Sequence, residues 1–291
     1  MKIGAYKPWP AIIFLLSFSS LSEANNVITT ADSLFKIRAE GSITQRALIE
    51  PAHMALMAYN HATTVFPDTI SLHWKRLRAF HFILEFVELA DSNRTKIVSR
   101  AKSAADSAIS KVHTTCDKEF YPSENKTNYF SDCSASNIAG VYFWSAINWG
   151  IWSRSQEALT TKIKVTKRIF RYTEKALALD PTVDNGGSQR LLSVLHATIP
   201  SVPFITGFIN KNKVMPLINE ALALYPNHPG NRLLKAKAMM NQDPSQRDSS
   251  RYILNGIVNE TPNGPWRVEW HKIRALANKL LGEKNNIPDQ L

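Results

Sequence analysis

Residues 174–181 read Glu-Lys-Ala-Leu-Ala-Leu-Asp-Pro, and residues 219–226 read Asn-Glu-Ala-Leu-Ala-Leu-Tyr-Pro. Five of the eight positions are identical, and the equivalent alanines, Ala176 and Ala221, are 45 residues apart. Each stretch runs into a proline, which cannot continue a helical hydrogen-bond ladder. A small residue followed five positions later by proline is how the second helix of a tetratricopeptide-like hairpin ends. Ile169 and Val214 stand where such repeats carry a small residue, and the offset exceeds the usual spacing of about 34. The alternative is two unrelated helix ends that share common helix formers. A repeat origin predicts an all-α fold, with antiparallel helix hairpins stacked into a tetratricopeptide-like α-solenoid. One hairpin cannot bury its apolar face alone, so neighbours stack and leave a concave surface for a ligand or a partner protein.

The flanking chain has the same character. Apolar/polar alternation is almost absent, and helical spacing recurs. Ser71–Leu89 carries Leu72, Leu77, Phe80, Ile83, Leu84 and Val87 on overlapping rows, and Asp91-Ser92-Asn93 reads as a turn and N-cap. Asn93–Lys111 follows with a small-residue stripe, Ala101, Ala104, Ala105 and Ala108. Pro265–Leu281, with Trp266 and Trp270, reads as the capping helix of the array, and residues 282–291 as a polar, flexible tail. Residues 25–281 are expected to form a single helical domain.

Ile138–Trp152 reads IAGVYFWSAINWGIW. Tyr142, Phe143, Trp144, Trp149 and Trp152 cover nearly the whole circumference, and a helix apolar all round is enclosed on several sides. Gly140 and Gly150 each cost about 1 kcal/mol relative to Ala in a helix, which suggests close approach by a neighbour. Asn148 must find a hydrogen bond or face a wet cavity. Two readings stand: a packed central helix, or the aromatic wall of a ligand cavity. Downstream, Asp184-Asn185-Gly186-Gly187 makes a turn and opens a helix over Ser188–His196. Arg190 falls in its first turn, where a cation opposes the helix dipole. It therefore needs a partner, either a carboxylate such as Asp184 or an anionic ligand. Pro200, Pro203 and Gly207 break the chain before the next pair of helices.

Residues 1–24 have the layout of a secretory signal peptide. Lys2 and Lys7 precede the short apolar run Ala11–Phe18, and Ser22 and Ala24 supply small residues for cleavage. The run is too short to span a bilayer, and cleavage after Ala24 is expected, the alternative being an uncleaved interfacial anchor. Removing the segment takes Lys2, Lys7 and Glu23 and lowers the formal charge of +11 by one. In an exported protein that charge suits acidic partners, anionic lipid or an anionic ligand rather than nucleic acid, or simply a solvated surface. Cys116 and Cys133 flank a polar segment, and an oxidising compartment favours a disulfide between them. Metal binding there would need ligands beyond His113.

Composition excludes disordered, collagen-like and disulfide-dense classes, with 44% hydrophobic and 20% charged residues in 291. Only 11 glycines argue against a Gly-loop nucleotide enzyme or a turn-rich β-sandwich. The eight histidines are scattered, and neither a His-Glu-x-x-His zinc motif nor a Gly-x-Ser-x-Gly elbow occurs. Glu85 and Glu88, at i and i+3 of the expected helix, are the candidate carboxylate pair for glycoside hydrolysis, or else a surface edge bridged to Arg76 or Arg78. The chain is expected to be a non-enzyme without cofactor or metal.

On these residues the chain resembles the T-component (TatT-like) family of TRAP-associated periplasmic proteins. Leu48–Phe66 is similar to the family's first apolar helix with its proline entry, and Ala79–Glu88 to the helix that follows. Gly140–Trp152 resembles the Trp-Ser-Ala-x-Asn-Trp-Gly-x-Trp signature helix, and Asp180–Pro200 the block with Asp-Pro, Gly-Gly, Arg and a closing Pro. The resemblance implies tetratricopeptide-like hairpins and a periplasmic, non-catalytic role beside a TRAP solute-binding protein. It also implies a small hydrophobic or anionic solute and a possible homo-oligomer. By motif match it points to Trp144, Asn148, Trp149, Trp152 and Arg190 as ligand-binding positions; Tyr142 joins them from the aromatic wall. The chain departs from the family in lacking a cysteine for lipid anchoring, in the Cys116–Cys133 loop, and in the absence of a Gly-rich turn over Thr206–Lys213. The alternatives in function are a periplasmic scaffold that binds proteins in its groove and, less directly, a cell-wall hydrolase.

Overall fold

The structure, a computed structural model, describes residues 26–116, 132–262 and 264–282. The expected signal peptide lies outside them, as do residues 283–291 of the expected tail. The described chain is all helix. Residues 26–36 form α1, followed by α2 (Ile49–Val65), α3 (Ile70–Phe86), α4 (Asp91–Thr115) and α5 (Ala135–Ser153). Next come α6 (Leu159–Leu179), α7 (Gly187–Thr198), α8 (Val214–Leu224), α9 (Pro229–Gln242), α10 (Arg247–Asn259) and α11 (Arg267–Gly282). Successive helices pack as hairpins, and no strand occurs among the described residues.

The tryptophan-rich segment is the spine. α5 starts at Ser134, whose side chain accepts the Asn137 N–H as an N-cap. It is enclosed by α3, α4 and α6. The alanine stripe of α4 is buried where that helix meets α5. Gly140 is where the indole of Trp74 lies against α5: a Cβ there would sit 2.8 Å from Trp74 Cγ. Trp74 is fixed by donating its Nε1–H to Asn137 Oδ1 at 3.0 Å. Gly150 shows no such crowding, its nearest neighbour being 3.6 Å from an added Cβ.

The two repeat stretches end their helices alike. The Asp180 N–H donates to Ala176 O, and the Tyr225 N–H to Ala221 O, both at 2.9 Å, and both alanines are fully buried. The 221 position must be small, because Gly186 in the turn of the preceding hairpin comes within 3.2 Å of the Ala221 Cα if given a Cβ. The large core joins α1 through α7 and takes Leu217 from α8 and Val268 from α11; α8–α9 and α9–α11 hold smaller apolar clusters.

Several local expectations are corrected. The helix expected over Ser71–Leu89 ends at Phe86, because Val87 is extended and bridges in parallel to Ala47, with the Ala47 N–H donating to Phe86 O at 2.8 Å. Glu88 is therefore off the helix and is not the i+3 neighbour of Glu85. Glu85 pairs with Lys272 and, at 3.8 Å, with Arg154, rather than with Arg76 or Arg78. The next helix begins at Asp91 behind Ala90, without a side-chain cap. Trp266 lies in a 3-10 turn (Gly264–Trp266) ahead of α11, so the two tryptophans do not share one α-helix. Nor is α11 only a cap. It reaches back to the start of the chain through Glu269–Arg38, Lys272–Glu85 and Arg267 to Ser42 O.

Cys116 and Cys133 form a disulfide, with sulfurs 2.09 Å apart and Cα atoms 5.6 Å apart. Among the described residues no helix is long and apolar enough to cross a membrane.

Candidate functional site

Most of the residues singled out from the sequence are gathered on α5, where they pack. Tyr142 is buried, its hydroxyl accepting from Lys175 Nζ at 2.8 Å. Trp144 lies between His81 and Phe143, with ring centroids 5.3 and 5.0 Å away. Asn148 is fully buried, and its amide donates to Leu77 O (3.0 Å) and Trp144 O (2.8 Å), while its Oδ1 has no partner. Trp149 donates Nε1–H to Asp106 at 3.1 Å, with Arg168 over its ring at 4.0 Å and Lys102 at 4.8 Å. Trp152 is half-buried beside it, 5.2 Å between centroids. The arrangement is that of a packed central helix. Neither the cavity at the hairpin turns nor the groove between α2, α3 and α4, both described below, takes a side chain from α5.

Arg190 resolves differently. It donates to Asp184 Oδ2 at 2.7 Å, to the carbonyls of Asp184 and Asn185 at 2.7 Å, and to Asn231 Oδ1 at 2.9 Å. This fan of bonds holds three successive left-handed residues: Asp184 (φ 49°), Asn185 (φ 55°) and Gly186 (φ 82°). Asp and Asn tolerate that region better than other side chains, but it still stores strain that the surroundings must hold. Gly187 follows under equal constraint, since a Cβ there would fall 2.6 Å from Phe143 Cζ. Burial pushes the Asp184 carboxyl up from its ordinary value, and the Arg190 charge pulls it back.

That strained turn is one wall of a cavity of about 430 Å³. Asn185 contributes from the α6–α7 turn, and Leu224, Tyr225, Pro226, Asn227, His228 and Pro229 from the α8–α9 turn. Trp266, in the 3-10 turn ahead of α11, and Glu269, Trp270 and Ile273 of α11 close it. Two successive hairpin turns and the first part of α11 thus face one space. Asn231 staples the two turns, its Nδ2 donating to Ala221 O at 3.0 Å and Tyr225 O at 3.2 Å while its Oδ1 accepts from Arg190.

The walls are largely apolar and aromatic, with a few polar groups of defined state. His228 Nδ1 accepts the Asn231 N–H, which puts the ring proton on Nε2. Burial, then the charges of Arg190 and Arg232, hold its pKa down at about 3, so the ring is neutral at pH 7. Glu269 has one oxygen on Arg38 at 2.5 Å, and burial pushes its carboxyl up against that pairing. Its Oε2 and the Trp270 Nε1–H are buried without hydrogen-bond partners. Buried polar atoms are normally satisfied; these two, on neighbouring wall residues, are not. A mostly apolar concavity of this size with few convergent polar atoms is the usual form of a small-molecule site.

Sequence reasoning passed over Tyr225, His228, Glu269 and Trp270 as site residues. The available signal was a carboxylate set between two tryptophans, Trp-x-x-Glu-Trp, at the head of an otherwise ordinary amphipathic helix. Among the described residues no group of three or more His, Cys, Asp or Glu side chains is placed to hold a metal ion. Compared with models of known protein families the chain matches none, and comparison with curated proteins gives no match.

Proposed function

We propose that the protein is a periplasmic, non-catalytic binding component, akin to the T component of a TRAP-type uptake system. In this reading the aromatic cavity at the hairpin turns takes a small, mainly apolar solute with one polar group. The observation that carries it is a cavity walled by Tyr225, Trp266 and Trp270, on whose wall residues Glu269 Oε2 and Trp270 Nε1 are both left without partners. An apolar body would displace water from the aromatic walls, and its polar group would meet those two atoms. Exchange with a TRAP solute-binding protein would be the partner step.

Native mass spectrometry of gently purified protein tests it. A small molecule should co-purify, and Trp270→Ala should lose it while the helical circular-dichroism signal and Tm persist. Recovery of bare protein at every step, together with no response to apolar solutes, would remove the proposal. One observation favours protein binding as a second reading. The loop after α7 holds Phe204 in a left-handed backbone (φ 63°) with its ring fully exposed, beside exposed Val202 and Ile205. A pull-down that recovers a polypeptide through this loop, with no small ligand bound, would shift the reading to a scaffold.

A further inference from the structure

A second concavity, also of about 430 Å³, opens between α2, α3 and α4, and none of its residues lines the aromatic cavity. Its walls include Asn60 of α2, Arg76 and Phe80 of α3, and Arg100, Ser103 and Ser107 of α4. Three lysines of α3 and α4 are paired: Lys75 with Asp32 at 2.6 Å, Lys102 with Asp106 at 2.8 Å, and Lys111 with Asp68 at 3.0 Å. Arg76 and Arg100, which line the groove, are not. Neither meets a carboxylate among the described residues, although both face the same groove.

The hydrogen-bonding capacity of the groove is also unspent. Arg76 uses Nη1 on Thr63 Oγ1 at 3.0 Å, while its Nε is buried without a partner. Asn60 Nδ2 is likewise buried and unpartnered. The hydroxyls of Ser103 and Ser107, one helical turn apart on the same face, bond to no described residue. Arg100 lies over the Phe80 ring, 6.0 Å from its centroid. Burial first, and then the Arg100 charge, pull the Arg76 guanidinium down from its ordinary value, with no carboxylate acting against them. A half-buried guanidinium facing a like charge is costly unless an anion completes the site.

We propose that this groove binds an oxyanion: the phosphate, sulfate or carboxylate group of a small organic anion, held between Arg76 and Arg100. Guanidinium groups suit such anions by geometry as well as charge. Asn60 and the two serines supply neutral donors around the rim, and Phe80 offers an apolar floor for the organic part. The space exceeds a bare phosphate, which is why the ligand class is an organic anion rather than the inorganic ion. The same chemistry is offered by a soluble phosphate ester and by a phospholipid headgroup.

The test uses the whole protein and inorganic phosphate and sulfate as probes, against chloride at equal ionic strength. Phosphate and sulfate should raise Tm in the millimolar range. Arg100→Gln, at an exposed position, should weaken phosphate binding measured by calorimetry about tenfold. Ser103→Glu places a carboxylate in the groove; it should raise Tm without phosphate and abolish the phosphate response. Glycerol 3-phosphate and vesicles of phosphatidylglycerol in phosphatidylcholine separate the sources. Vesicle binding that Arg100→Gln removes assigns a headgroup, and a glycerol phosphate response without vesicle binding assigns a free solute. An anion response that is absent, or equal in the wild type and both variants, overturns the proposal, since general salt effects on stability would be indifferent to these side chains.

Discussion

Arg38 and Glu269 are 231 residues apart in the chain and 2.5 Å apart in the fold. Arg38 is 2% exposed. Its guanidinium is packed over the rings of Phe35 (4.3 Å), Trp266 (4.7 Å) and Phe82 (5.0 Å), and Nη1 donates to Phe35 O at 3.1 Å. One ion pair therefore ties the turn after α1 to the last helix, at the rim of the aromatic cavity. It converts an open row of hairpins into one whose end is fastened to its beginning.

Removing one member leaves the other charge buried and alone, which costs more than the intact pair contributes. Glu269→Ala is expected to lower unfolding free energy by about 3 kcal/mol. The double variant Arg38→Met/Glu269→Leu should lose less than Glu269→Ala, because no orphaned charge remains. Urea denaturation of the wild type and the two variants checks this; a double variant that loses as much as Glu269→Ala, or more, contradicts it.

Two glycine-to-alanine changes should have opposite signs. At Gly140 a Cβ would meet the Trp74 ring at 2.8 Å, and Trp74 is held by Asn137, so the indole cannot turn aside freely. Gly140→Ala should destabilise by about 1–3 kcal/mol. Gly256, inside α10, has nothing within 4 Å of an added Cβ. Gly256→Ala should stabilise by roughly 0.5–1 kcal/mol through helix propensity and lost unfolded-state freedom. Thermal unfolding of the two variants side by side reads the difference.

Acid should weaken the fold before the ordinary carboxylates titrate. Burial, opposed by Glu85, lowers His81 from 6.5 to about 4, and His228 falls to about 3. Each folded imidazole binds its proton less readily than the unfolded one. Their contribution is complete above pH 6.5 and is lost as the pH falls toward the folded values, where the loss levels off. Asp184 and Glu269 are raised by burial, so they favour the fold when protonated and offset part of the loss at lower pH. His81→Phe should flatten the decline of Tm between pH 6.5 and about 4. An unchanged acid slope in that variant would count against the assignment.

The Cys116–Cys133 bond spans a sequence separation of 17. Closing a loop of that length should contribute about 3 kcal/mol, chiefly by restricting the unfolded chain. Tm should fall on reduction and match that of the Cys116→Ser/Cys133→Ser variant. Coincident melting curves for the oxidised and reduced protein would show that the cross-link contributes nothing.

How far the fold can be read without coordinates varies by element. α5 was legible because an all-round apolar helix has one structural solution, burial on several sides, and Gly140 on it marked the approach of a neighbour. The matching ends of α6 and α8 were legible because small residue and proline spacing reports local backbone geometry. The alternatives for Arg190 could be named but not separated, since a first-turn cation says only that a partner exists. The end of α3 was misread because a tertiary contact, the Ala47–Val87 bridge, takes Val87 out of a helix its own periodicity would continue.

The cavity was the least legible part. Asn185, Tyr225, His228, Glu269 and Trp270 come from two turns and the first part of α11, separated by about 40 residues each along the chain, and nothing in their local spacing links them. Periodicity, composition and breaker residues are short-range properties, so they were sufficient for helix content, hairpin order and the buried spine. The direction in which the row of hairpins curves depends on how side chains pack between helices and on pairs such as Arg38–Glu269. Those contacts exist only in the folded chain, and they alone settle which turns face one another and which polar atoms are left without partners.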